Sequence, residues 1–202
     1  KSQSLMPTFA SAICVVCLLL IFFLYLFTYR RKLLDNLRNV LFFTILMAII
    51  IALAFLVLHY APLGYIYLVP FAWGPIITRV FYDSRTAIFM HIITILVVSV
   101  AVPAPYVFVL LQLVGGVVAV ISLRDMTQRA QLAQTALFTF ITYSVVYTAT
   151  TMLISGEVDT LEYRNYIYFA INAILVICAY GLIFLFERTF GLVSNITLVE
   201  LT

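Results

Sequence analysis

The sequence predicts an all-α, polytopic integral membrane protein: a bundle of seven transmembrane helices with its N-terminus outside and its C-terminus in the cytoplasm. Three observations lead there. Of 202 residues, 65% are hydrophobic and only 9% charged, whereas about a quarter of an ordinary soluble domain is charged. The apolar residues fall into seven runs of near-spanning length. The basic residues gather in alternate connections between those runs.

A helix rising 1.5 Å per residue needs about 20 apolar residues to cross roughly 30 Å of hydrocarbon. The runs are 8–29, 40–59, 64–81, 86–102, 105–123, 132–154 and 166–186. The first is too long for a secretory signal and ends in Arg30-Arg31-Lys32, so it is a retained span. The third is short and carries Pro70 and Pro75, which raises a half-helix or re-entrant segment as the alternative. Charge decides between them. With seven crossings, one side holds nine of the eleven Lys and Arg: Arg30, Arg31, Lys32, Arg38, Arg79, Arg85, Arg124, Arg129 and Arg188. The other side holds Lys1 and Arg164 beside the acidic Glu157, Asp159 and Glu162. A third run that failed to cross would move four arginines outside, against the positive-inside tendency. Most tyrosines lie near predicted span ends, where the ring is buried and the hydroxyl stays wet; Tyr143, Tyr147 and Tyr180 are deep.

The chain reads as one domain of a longer protein, since it opens on Lys1 and stops at Thr202 without a tail. Membrane lipids are its expected surroundings and nucleic acid is not an expected partner, because topology accounts for the basic residues. Cys14, Cys17 and Cys178 sit inside apolar runs and are expected as small packing residues, without disulfide, redox or metal roles. Asn195-Ile196-Thr197 fits a glycosylation pattern but lies beyond the last span on the cytoplasmic side, so it is read as incidental.

No Asp, Glu, Lys or Arg falls within a span interior, which disfavours ion-coupled transport. Uncharged polarity remains. His91 reads as a hydrogen-bonded packing residue. On the sixth span, Thr135, Thr139, Thr142, Tyr143, Tyr147 and Thr150 share one face, and Leu137, Phe138, Ile141, Val145 and Met152 the other. That polar stripe must face the bundle, within reach of Gln112 or Asn172, as interhelical glue or as a ligand pocket. Gly115-Gly116 allows a neighbouring helix to approach closely. Pro70, Trp73, Gly74 and Pro75 should break the third span and leave backbone carbonyls unpaired, which can build a cavity. Trp73, Gln112, Tyr143, Tyr147 and Asn172 are the pocket candidates. No nucleophile with a base, metal-ligand cluster or phosphate-binding loop occurs, so no catalytic residue, metal site or cofactor is assigned.

Three stretches carry a family resemblance: LVPFAWGP at 68–75 running on to YDSRTA at 82–87; GGVVAVIS at 115–122 with the polar loop 124–129 and AQL after it; and ERTFG at 187–191 followed by NITLVEL at 195–201. They resemble the bacterial seven-transmembrane proteins with an intracellular HD phosphohydrolase domain. The resemblance implies a multi-pass location in the bacterial cytoplasmic (inner) membrane, an extracellular domain before Lys1 and a cytoplasmic hydrolase after Thr202. It further implies that the hydrolase degrades cyclic di-AMP with a divalent metal pair, none of whose ligands corresponds to a position here. The function expected is a sensory and anchoring domain that transmits a signal to that hydrolase, partnered by its own flanking domains and compatible with homodimerisation. Small-solute binding or transport is the alternative. The relay is expected at the end of the seventh span, where Glu187, Arg188, Phe190 and Gly191 follow without a flexible linker.

Overall fold

The computed structural model describes residues 5–123 and 130–193, and the regular elements among them are all helical. In order they are α1 (Leu5–Tyr29), α2 (Arg31–Leu34), α3 (Leu37–Tyr60), a 3-10 segment (Leu63–Leu68), α4 (Trp73–Phe81), α5 (Ser84–Ser99), α6 (Pro105–Ser122), α7 (Ala130–Ser155) and α8 (Tyr163–Phe190). Helices α1, α3, α6, α7 and α8 are long and apolar enough to cross a membrane, and α5 is a shorter apolar helix of 16 residues. The loop 124–129, with Arg124 and Arg129, and the segment 195–201 lie outside the described residues.

Six of the predicted runs form single helices, most of them longer than predicted by a few residues. The third does not. Pro70 lacks an N–H and disfavours a helical Leu68-Val69 approach, so the run divides into the 3-10 segment, a turn through residues 69–72, and the nine-residue α4. The divided run nevertheless follows α8 from end to end. Gly64 packs against Asn165 and Tyr168, the Tyr67 and Val69 carbonyls meet Asn172, and Trp73 meets Leu175. At its far end Phe81 joins Phe186 through Phe42. A 3-10 stretch rises about 2.0 Å per residue against 1.5 Å in an α-helix, which lengthens the reach of this short run.

The bundle is apolar outside and partly polar inside. Leu20, Leu24, Leu56, Val145, Leu153, Ile167 and Phe184 are exposed, as lipid-facing residues should be. Thr78, His91, Gln112, Thr135, Thr139 and Asn172 are buried. Helix α7 presents most of the predicted face inward: Thr135, Thr139, Tyr143, Tyr147 and Thr150 are buried and Thr142 is half-buried, and Leu137, Phe138, Ile141, Val145 and Met152 are exposed. The cysteines differ from expectation. All three are free and face outward, Cys14 and Cys17 on α1, which buries only Phe22 and Leu26 and so leaves most of its surface unpacked.

Caps fix the ends. Asn36 accepts from the Arg38 N–H at the start of α3, Asp83 accepts from the Thr86 N–H at the start of α5, and Pro105 occupies the first turn of α6. Gly191 closes α8 in the left-handed conformation, φ 61°, donating its N–H to the Glu187 carbonyl at 2.9 Å.

Candidate functional site

Deep in the bundle α5, α6 and α7 meet on Gln112. The Tyr143 hydroxyl donates to Gln112 Oε1 at 3.0 Å, and the Gln112 carbonyl lies 2.8 Å from His91 Nε2, which donates to it. The two glycines one turn further on make room for both rings. A Cβ on Gly115 would fall 2.2 Å from the Tyr143 ring, and one on Gly116 would fall 2.0 Å from His91 Nε2. Gln112 Nε2 is buried with no partner among the described residues.

The break in the third run is stitched to α8. Asn172 Nδ2 has two hydrogens and donates both, to the Tyr67 carbonyl at 3.0 Å and the Val69 carbonyl at 2.9 Å. Trp73 Nε1 donates to the Leu175 carbonyl at 2.7 Å. The carbonyls expected to stand unpaired at Pro70 are therefore occupied, because a buried carbonyl without a partner costs about 1–3 kcal/mol.

A cavity of about 250 Å³ opens at the end of the bundle where the 3-10 segment, the α5–α6 connection and the α7–α8 connection converge. Leu63, Ile66, Val102, Pro103 and Val107 form apolar walls, and Tyr67, Tyr147, Thr151, Thr160, Glu162 and Asn165 supply polar groups. The Tyr147 hydroxyl accepts from Asn165 Nδ2 at 2.8 Å and from the Glu162 N–H at 3.3 Å. From there an aromatic path descends: Tyr147 to Phe169 with centroids 5.6 Å apart, then Phe169 to Tyr143 at 5.7 Å, which reaches Gln112.

Of the five pocket candidates, Tyr147 lines this cavity. Tyr143 and Gln112 lie on the path beneath it, while Trp73 and Asn172 join the broken run to α8. Sequence reasoning passed over Tyr67, Glu162 and Asn165. Their only local signal was polarity beside loops on one side of the chain, and about a hundred residues separate Tyr67 from Asn165.

The opposite end is aromatic and charged. Phe42 packs edge-on against Phe81, Phe186 and Phe190, and Phe190 stacks on Phe186 at 5.5 Å. Tyr82 donates to Asn39 Oδ1 at 2.9 Å, and Arg38 donates to the Gly191 carbonyl at 3.4 Å. Arg188 is exposed in the last turn of α8, and the Glu187 carbonyl accepts from Gly191. Arg30 bridges to Asp83 at 2.7 Å, tying the end of α1 to the cap of α5. Burial pushes the Asp83 carboxyl up, but the Thr86 hydroxyl and N–H and the Arg30 charge outweigh it and hold the group below its ordinary value.

A profile of the family described as the 7TM receptor with intracellular HD hydrolase matches residues 5–194. The chain belongs to that family. What is matched is the receptor's transmembrane domain, and the match includes α1 and α3, where the sequence offered no motif of its own. No curated protein and no solved structure matches the receptor chain. Among its described residues no group of three or more His, Cys, Asp and Glu side chains is placed to hold a metal ion.

Proposed function

We propose that this chain is the sensory membrane domain of a receptor in the bacterial cytoplasmic membrane, and that it sets the activity of an HD phosphohydrolase attached beyond Thr202 that degrades cyclic di-AMP with a divalent metal pair. In this reading the chain crosses seven times with its N-terminus outside, so the cavity opens to the exterior and the Arg30, Arg38 and Arg188 end meets the cytoplasm.

The observation that carries the reading is the tie of α8 at both ends. Asn165, in the first turn of α8, binds the cavity residue Tyr147, and Phe186 and Phe190, in its last turns, pack on Phe42. A ligand or outside domain that favours one position of Asn165 would bias the position of the same helix where it leaves the membrane. Such coupling needs different contacts in the two states, and the α8 ends supply contacts that can differ. Passage of a solute is less well supported, because the carbonyls freed at Pro70 are taken by Asn172.

The test uses the full-length protein in membranes, with turnover of cyclic di-AMP as readout. Tyr147→Phe should change the basal rate by about twofold or more, a shift of roughly 0.4 kcal/mol. A Gly-Ser insertion after Phe190 should leave basal turnover in place and abolish that change. A Tyr147→Phe effect that survives the insertion, or no effect from any cavity substitution, would leave a passive anchor as the better account.

A further inference from the structure

The chemistry of the cavity lining is one-sided. Among the described residues it has one carboxylate, on Glu162, and no Lys, Arg or His. Arg164, two residues on, is exposed and does not line it. Its amide group, Asn165, is 4% exposed, and Oδ1 has no hydrogen-bond partner among the described residues while Nδ2 is spent on Tyr147. That oxygen lies against Gly64, another lining residue, 3.3 Å from where a Cβ would stand. The Tyr147 hydroxyl already accepts two N–H bonds. The polar side of the cavity therefore holds a carboxylate and an unclaimed amide oxygen, and beside the neutral hydroxyls no described lining residue brings a positive charge to either.

The remaining walls select among cations. A divalent metal ion would need several oxygen ligands at short range, and a single carboxylate with one amide does not provide them. About 250 Å³ holds roughly eight waters at about 30 Å³ each, so the space suits a small organic body. Leu63, Ile66 and Val107 would cover its apolar part, and the rings of Tyr67 and Tyr147, packed edge to face with centroids 6.1 Å apart, add aromatic lining that suits an ammonium group. A zwitterion would bring a second carboxylate with no cation to receive it.

We infer that the cavity between the 3-10 segment, the α5–α6 connection and the start of α8 binds a small organic ammonium ion, held by Glu162 and Asn165 Oδ1. The inference deepens the receptor reading by naming the class of ligand, and its test is a binding measurement that does not pass through the hydrolase. Failure to bind would thus remove the ligand and leave the coupling between α8 and the hydrolase to be judged by its own experiment.

The probes are 2-phenylethylammonium, its neutral isostere 2-phenylethanol and the anion phenylacetate, titrated calorimetrically into the full-length protein in lipid nanodiscs, with empty nanodiscs subtracted. The ammonium should give a saturable one-site isotherm, and the other two should not. Because Glu162 is exposed, Glu162→Gln should fold normally and weaken binding by about tenfold or more, while Glu162→Asp keeps most of it. Absence of saturable binding, equal binding of the alcohol or the anion, or an affinity unchanged in Glu162→Gln would each overturn the assignment.

Discussion

The imidazole of His91 occupies the space that a side chain on Gly116 would need, so close that a Cβ there would lie 2.0 Å from Nε2. The hydrogen bond from that nitrogen to the Gln112 carbonyl depends on the approach. Gly116→Ala should therefore destabilise the bundle by about 1–3 kcal/mol, although alanine is the better helix former by roughly 1 kcal/mol. Thermal unfolding in lipid nanodiscs checks it. The loss should shrink when the same substitution is made in a His91→Ala background, and an equal loss in both backgrounds would mean that the clash is not the cause.

Asn172 should be more sensitive to loss of its amide than to a change of size. Asn172→Leu removes the side-chain donor from the Tyr67 carbonyl and one of two donors from the Val69 carbonyl, which keeps the Phe71 N–H, and should cost about 1–3 kcal/mol. Asn172→Gln, which keeps the two donors on a longer arm, should recover part of that. Unfolding temperatures that do not distinguish Leu from Gln would show that the turn at 69–72 does not depend on these bonds.

The Arg30–Asp83 pair predicts a dependence on acid. Because the folded carboxyl sits below its ordinary value of 3.8, the folded protein binds that proton less readily than the unfolded chain. Its contribution is present above the ordinary value and is lost as pH falls through it toward the folded one. Between about pH 5 and pH 3, stability of the wild type should therefore decline more steeply than that of Asp83→Asn, which starts lower at neutral pH. Parallel curves for the two proteins would contradict the assignment.

Orientation is tested by reporter fusions after Arg85, Arg129 and Gly156. The first two should register in the cytoplasm and the third outside. Arg85 and Arg129 both outside would mean that the 64–81 run does not cross, and the two on opposite sides would defeat the seven-span arrangement.

How far the sequence could be read depended on whether the signal was local. The inward face of α7 was legible because Thr135, Thr139 and Tyr143 recur at helical spacing, and Gln112 was recognisable as a partner because so few polar groups share the interior. The division of the third run followed from Pro70. What takes the carbonyls it frees did not, since Asn172 lies about a hundred residues away and nothing in its own neighbourhood marks the pairing. The cavity was hidden for the same reason. Tyr67 comes from the 3-10 segment and Glu162 and Asn165 from the start of α8, and only the packing of that segment along α8 brings them together.

The bond from Trp73 to the Leu175 carbonyl has a practical consequence. Trp73 is the single tryptophan in these 202 residues, and its indole N–H joins the start of α4 to the middle of α8 at 2.7 Å. A fluorophore whose emission responds to loss of a hydrogen bond thus sits, unlabelled, at the junction between the interrupted segment and the helix that would carry a signal outward. In this domain taken alone, sliding of α8 against α4 should register as a change in emission wavelength, giving an optical record of a motion that enzyme turnover would report only at second hand.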